Sequence, residues 1–149
     1  MPIPTDSRLR LILVARGLLL PYLIALALIV WLPGQDAEAV TGVVATVARM
    51  LEGWGLLPFD VGYPVLEFVA NIALFVPFGV LVAVAWPTLR PWRVTVAWAA
   101  TNILIEVVQI ALPTRFPTVS DVIANTLGAA VGVAVVAVLR RRRRDAAAT

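Results

Sequence analysis

The chain of 149 residues contains no cysteine, no histidine and no lysine. Without cysteine and histidine it can form neither disulfides nor thiolate or imidazole metal sites, and cysteine nucleophiles and Ser-His-Asp triads are excluded. All twelve basic residues are therefore arginines. They flank long apolar runs rather than forming a folded basic surface, so we expect no nucleic-acid partner in spite of the net charge of +3.

Hydrophobic residues make up 61% of the chain, and the mean hydropathy is +0.94, values typical of an integral membrane protein. A chain of this length has room for one compact domain, which we assign to residues 1–149. Four of its segments are long and apolar enough to cross a hydrocarbon core about 30 Å thick. We therefore predict an all-α fold, a four-helix transmembrane bundle with spans at about residues 11–32, 64–86, 92–112 and 119–139.

The arginines also predict the orientation of these spans. An even number of spans places both termini on one side, and all arginines except Arg49 and Arg115 then share that side. The positive-inside rule makes it the cytoplasmic side, with residues 140–149 as a basic cytoplasmic tail. An alternative interpretation takes the first segment as a cleavable signal peptide that ends near Ala37-Glu38-Ala39. Cleavage there would leave the remaining spans oriented as before.

The segment between the first two spans has its own helical pattern. Apolar residues recur at helical spacing from Val40 to Trp54, Asp36 can cap the start, and Gly53 and Gly55 can end the helix. We predict a short extracytoplasmic helix over about residues 37–53. It either lies as an amphipathic helix on the outer membrane surface or packs over the bundle.

Several carboxylates and amides interrupt the apolar spans, and polar groups inside a membrane are functional-site candidates by default. The predicted topology places Asn71, Glu106 and Asn125 on three helices at one level of the outer leaflet, about 9–10 Å deep. Asn102 lies one turn from Glu106 on the same face. Closer to the outer surface are Glu67, Gln109 and Asp121, together with Arg115 in the loop between spans three and four. We predict that these residues converge on an outward-facing polar pocket.

Two other interpretations of the same residues remain open. The amides and carboxylates can serve only as hydrogen bonds between helices, a role that is common for Asn in bundles. Glu106 can be protonated, paired with Arg115 or bound to a cation. Arg115 can equally pair with Asp121, which would offset the burial of that carboxylate.

Small residues and one proline indicate where the helices approach each other. Gly128 and Gly132, with Ala124, form a small-xxx-small ridge on span four that permits close packing within the bundle or between protomers. Gly79 on span two is assigned to helix packing as well. Pro77 removes the hydrogen bond to the carbonyl of Ala73, so we expect a kink in span two.

The polar strings, taken in order, resemble those of the VanZ-like membrane proteins. They are N-x-x-x-F-x-P-x-G, E-x-x-Q and D-x-x-x-N-x-x-G, carried here by Asn71, Phe75, Pro77, Gly79, Glu106, Gln109, Asp121, Asn125 and Gly128. The resemblance covers about residues 64–135. The chain departs from the pattern at Asn102, where serine is frequent, and at Thr118 and Ser120, where acidic residues commonly precede the aspartate.

The resemblance implies a multi-pass protein of the bacterial cytoplasmic (inner) membrane that acts in the cell envelope. The family's namesake confers low-level resistance to teicoplanin. We expect a binding protein whose pocket receives an envelope lipid, a lipid-linked wall intermediate or a membrane protein partner, with no cofactor and with Arg115 as a phosphate or carboxylate contact. One alternative is a membrane enzyme in which Glu106 and Asp121 act as general acid and base or hold a divalent cation. Another is a transporter formed by a homo-oligomer.

Overall fold

The computed structural model describes residues 6–31, 38–110 and 119–148. Within these ranges the chain forms helices and no strand, which confirms the predicted all-α class. The helices are α1 (Asp6–Trp31), α2 (Glu38–Gly53), α3 (Phe59–Ala85), α4 (Pro91–Ile110) and α5 (Val119–Ala146).

Three stretches of helix are long and apolar enough to cross a membrane: Asp6–Leu28 of α1, Phe59–Ala85 and Val119–Ala146. Their exposed side chains are largely aliphatic, as in Leu13, Leu20 and Val69. In water such a surface would be unfavourable, since soluble proteins rarely expose contiguous apolar patches of more than a few hundred Å². The chain is therefore a membrane protein.

Apart from α2, helices that follow one another in the sequence alternate in direction. α1 runs antiparallel to α3, because Arg16 near the start of α1 contacts Ala85 at the end of α3. α3 and α5 run parallel, with Asn71 beside Asp121 and Ala83 beside Arg140. α4 runs antiparallel to α5, since Asn102 contacts Asn125 and Val94 packs against Val133 and Val136. This arrangement brings the start of α1 and the ends of α3 and α5 to one end of the bundle, which we call the arginine end.

Glycines bring α3 and α5 into backbone contact. A Cβ atom added to Gly79 would overlap the carbonyl oxygen of Ala129, and one added to Gly132 would overlap that of Val76 and lie 2.8 Å from the nitrogen of Val80. These contacts place the glycine ridge of α5 against α3, inside the bundle. Close approach of this kind maximises van der Waals contact where no hydrophobic effect between helices is available.

The side chain of Tyr22 on α1 reaches the backbone of α3 close to Pro77. Its hydroxyl donates a hydrogen bond to the carbonyl oxygen of Leu74 and lies close enough to the backbone N–H of Phe78 to accept one. The carbonyl that Pro77 leaves without its helical donor is that of Ala73, a different group. α3 is one continuous helix from Phe59 to Ala85, and Tyr22 joins α1 to the middle of it.

Arginines from two other helices satisfy carbonyls at the end of α3. Arg16 of α1 donates from Nε to the carbonyl oxygen of Ala85 over 3.2 Å, and Arg140 of α5 donates from Nη2 to that of Ala83 over 2.7 Å. The last carbonyls of a helix lack intrahelical partners and carry partial negative charge. The two arginines therefore join α1, α3 and α5 at the arginine end.

α2 has two apolar faces rather than one. Ala48 is buried in the packing with α3, whereas Val43, Val47, Met50 and Trp54 form an exposed stripe on another side of the helix. The helix thus packs on the bundle and also presents an apolar surface, so the two predicted roles of this segment are not exclusive.

Three boundaries differ by five residues or more from those predicted. The first span belongs to a helix that begins at Asp6 rather than near residue 11. The second span begins at Phe59 rather than near residue 64, because Glu52 of α2 accepts a hydrogen bond from the backbone N–H of Phe59 over 3.1 Å and satisfies the first turn of α3. α5 continues through Ala146, so most of the predicted basic tail is helical. Its arginines are compatible with helix because they lie near the C-terminal end of the macrodipole.

Candidate functional site

A carboxylate and an amide meet between α3 and α5. Asn71 donates from Nδ2 to Oδ1 of Asp121 over 3.4 Å, and both side chains are partly buried. Asp121 lies in the first turn of α5, where a negative charge is stabilised by the N-terminal end of the helix dipole.

A second polar contact joins α4 to α5 one turn deeper. Asn125 donates from Nδ2 to Oδ1 of Asn102 over 3.1 Å, and Nδ2 of Asn102 donates to the carbonyl oxygen of Trp98 over 2.9 Å. Asn102 is only 5% exposed. Its oxygen and one amide hydrogen are therefore satisfied within the protein, as burial requires.

These two contacts form one polar cluster, which we define as Asn71, Asn102, Asp121 and Asn125. Asp121 and Asn125 are four residues apart, so the cluster occupies about 6 Å along α5. Three helices contribute to it. It lies toward the end of the bundle opposite the arginine end, because Asn71 is in the first half of α3 and Asp121 starts α5.

Glu67 stands at the edge of the polar cluster. It is exposed, lies one turn before Asn71 on α3 and forms a side-chain hydrogen bond with Tyr63. Its carboxylate is also close enough to Asp121 for the two like charges to repel. The described part of the site thus combines amide groups with two carboxylates, one on α3 and one on α5, that are close enough to repel each other.

Aromatic rings form one wall beside the polar cluster. The ring of Trp98 lies 3.9 Å from that of Phe78 and 5.6 Å from that of Phe75, measured between centroids. Nε1 of Trp98 and Oγ1 of Thr126 are buried without a hydrogen-bond partner in the part of the chain that the structure describes. The indole N–H and the hydroxyl are two further hydrogen-bonding groups in this region of the bundle.

Sequence patterns identified some of these residues and missed others. Tyr63, Trp98 and Thr126 did not emerge as candidates. For Trp98 a signal was present, since it lies one turn before Asn102 on the same face of α4. Tyr63 has the same relation to Glu67 on α3.

Three of the sequence-based candidates are not placed by the structure. The side chains of Glu106 and Gln109, near the end of α4, and the whole of Arg115 lie outside the described residues. Their roles stay predictions. Among the residues that are described, no three acidic side chains are grouped so that they could hold a metal ion.

The polar cluster can donate and accept hydrogen bonds, and the carboxylates of Asp121 and of the adjoining Glu67 favour ligands that carry hydroxyl, amide or ammonium groups. Comparison with known proteins adds the family. The family model described as VanZ/LLP1 matches residues 19–140, a range that contains every residue of the polar cluster. No curated protein and no solved structure gives a match to the chain. The chain therefore belongs to the VanZ-like family of membrane proteins.

Proposed function

We propose that this VanZ-like protein recognises the polar head group of an envelope lipid or lipid-linked wall intermediate with its polar cluster. The observation that carries the proposal is the pair of contacts Asn71–Asp121 and Asn102–Asn125, which bring polar groups of three helices together within an apolar bundle. Polar residues inside membrane proteins are costly, and they commonly mark substrate or ligand positions.

The orientation in the membrane belongs to the same proposal. The arginines at one end of the alternating helices favour that end as the cytoplasmic side of the bacterial inner membrane. α4, 20 residues long, then serves as the fourth span, with both termini cytoplasmic. The polar cluster faces the outer leaflet, where envelope lipids and wall intermediates present their head groups.

Charge indicates which part of a head group the cluster binds. Glu67 and Asp121 are acidic and near each other, so a bare phosphate would be repelled by the described part of the site. Sugar hydroxyls, amides and ammonium groups would be favoured, and a lipid-linked wall intermediate carries such groups. The predicted contact of a phosphate with Arg115, six residues before Asp121 in the sequence, belongs to the same proposal.

Recognition of this kind would account for a link to teicoplanin, to which the family's namesake confers resistance. The test is the teicoplanin susceptibility of a sensitive Gram-positive host that expresses the wild-type chain, Asp121→Asn or Glu106→Gln. Ser120→Ala, an exposed neighbour of Asp121, is the matched control. Membrane levels are equalised by immunoblot.

We expect protection by the wild type and by Ser120→Ala, and loss of protection in Asp121→Asn and Glu106→Gln. Equal protection by all four chains would show that these two carboxylates are structural and would overturn the proposed role of the site. Absence of protection by the wild type would overturn the link to teicoplanin in that host.

A further inference from the structure

A cavity of about 220 Å³ lies at the arginine end, away from the polar cluster. It is lined by the end of α3, the start of α4, the turn between them and the second half of α5. Apolar side chains form its inner wall, and Arg140, Arg141 and Arg144 form its mouth. No residue that lines it in the described part of the chain is acidic.

The arginines at the mouth are arranged by the helix. Ala137, Arg140, Arg141 and Arg144 recur at spacings of three and four, so they share one face of α5 and all line the cavity. Arg142 and Arg143 belong to the same run of arginines but do not line it. Arg141 and Arg144 thus carry the same charge as Arg142 and Arg143, but only the first two line the cavity.

Arg140 is held in place at this mouth. One of its N–H groups donates to the carbonyl oxygen of Ala83 over 2.7 Å, and a guanidinium has five such donors in a fixed planar fork. Arg144 and Arg8 both lie close enough to Arg140 to repel its charge. A bound anion would relieve this repulsion and accept charge-assisted hydrogen bonds from the arginine side chains.

The cavity is apolar inside and charged at its mouth, as a site for an amphiphilic molecule would be. Val94 and Val133 line its inner part, and the apolar stretch of α5 ends at Leu139, directly before the first arginine. The mouth therefore lies at the level where the hydrocarbon core meets the head groups. Its volume is below the range of about 300–1,000 Å³ that is usual for drug-sized ligands, and it suits a head group rather than a whole lipid.

We propose that this cavity binds the phosphodiester head group of an anionic phospholipid, with Arg141 and Arg144 contacting the phosphate and Arg140 positioned by Ala83. The glycerol backbone and the upper acyl chains rest on the apolar wall. The site is separate from the polar cluster and does not depend on the proposed function. Basic pockets between helices are established binding sites for anionic head groups in membrane proteins.

The experiment compares two double variants of the full chain that lose the same charge. Arg141→Gln/Arg144→Gln removes the two arginines of the mouth that have no role in capping α3, and Arg142→Gln/Arg143→Gln is the matched control. Each purified protein is titrated in detergent with phosphatidylglycerol, with phosphatidylcholine and with inorganic phosphate, and bound lipid is counted by native mass spectrometry. Circular dichroism verifies that helix content is equal.

We expect phosphatidylglycerol to bind the wild type and the control with similar affinity, and the mouth variant about tenfold more weakly, as befits the loss of charge-assisted bonds. Phosphatidylcholine should bind all three chains weakly. An equal loss in both variants would show attraction by net charge alone and would overturn the site. Displacement of phosphatidylglycerol by millimolar inorganic phosphate would overturn the assignment to a lipid.

Discussion

The side-chain amide of Asn125 on α5 donates a hydrogen bond to the side-chain oxygen of Asn102 on α4 over 3.1 Å, and Asn102 in turn donates to the backbone of its own helix. The contact fixes α4 against α5 at the depth of the polar cluster. It also holds the Asn125 amide in one orientation, so that its second N–H and its oxygen point in defined directions.

Loss of the Asn125 side chain should destabilise the bundle, because Asn102 then lacks the donor to its Oδ1. Asn125→Ala leaves a buried oxygen without its donor, whereas removing both amides leaves nothing unsatisfied between the helices. A double-mutant cycle of Asn102→Ala and Asn125→Ala, measured by unfolding in detergent, should give a coupling of about 0.6 kcal/mol and no more than about 1.7 kcal/mol. Additive effects would contradict the contact.

The glycines that join α3 and α5 should not tolerate a methyl group. Gly128→Ala would place a Cβ 2.9 Å from the Cβ of Phe75 and onto the carbonyl of Ile72, so we expect destabilisation by about 1–3 kcal/mol. Gly17→Ala on α1 is the control, because a Cβ there meets no atom within 4 Å among the described residues. It should stabilise the protein by about 0.5–1 kcal/mol, since alanine favours helix.

Thermal unfolding of the two glycine variants in the same detergent checks this pair of predictions. A lower melting temperature for Gly128→Ala and an unchanged or higher one for Gly17→Ala is the expected order. Equal melting temperatures would mean that α3 and α5 are not in backbone contact.

The hydroxyl of Tyr22 should stabilise the contact between α1 and α3. Tyr22→Phe removes the donor to the Leu74 carbonyl, so we expect the free energy of unfolding in detergent to fall by about 0.5–1.5 kcal/mol. A Tyr22→Phe variant as stable as the wild type would contradict this hydrogen bond.

Much of the helical architecture could be predicted from the sequence, because the length of an apolar run is a local property. The segment predicted as the third span, 92–112, is helical as α4 at Pro91–Ile110, although α4 is not one of the three helices among the described residues that are long and apolar enough to cross a membrane. The helix predicted at 37–53 is α2 at Glu38–Gly53. The start of α3 could not be found in the same way. It depends on Glu52, which belongs to the preceding helix and reaches Phe59 only once the two helices are folded together.

The candidate site was predictable where polar residues stood out against apolar neighbours. Asn71, Asp121 and Asn125 are of this kind, and periodicity alone places Asp121 and Asn125 on one face of α5. Tyr22 was not predictable as a partner of α3, since tyrosine is common in membrane helices for other reasons. Trp98 was missed although it lies one turn before Asn102 on the same face of α4. The partners of Arg16 and Arg140 are backbone carbonyls of another helix, which no sequence pattern indicates.

The central claim is that the polar cluster binds a lipid head group, and the most direct test identifies lipids that stay with the protein. Wild type, Asp121→Asn and the control Ser120→Ala are extracted from bacterial membranes in polymer-bounded discs, and their retained lipids are compared by mass spectrometry. We expect a lipid with a sugar or amino-acid head group to be enriched with the wild type and the control and depleted with Asp121→Asn, while phosphatidylglycerol is unchanged. Identical lipid profiles for all three proteins would contradict the claim.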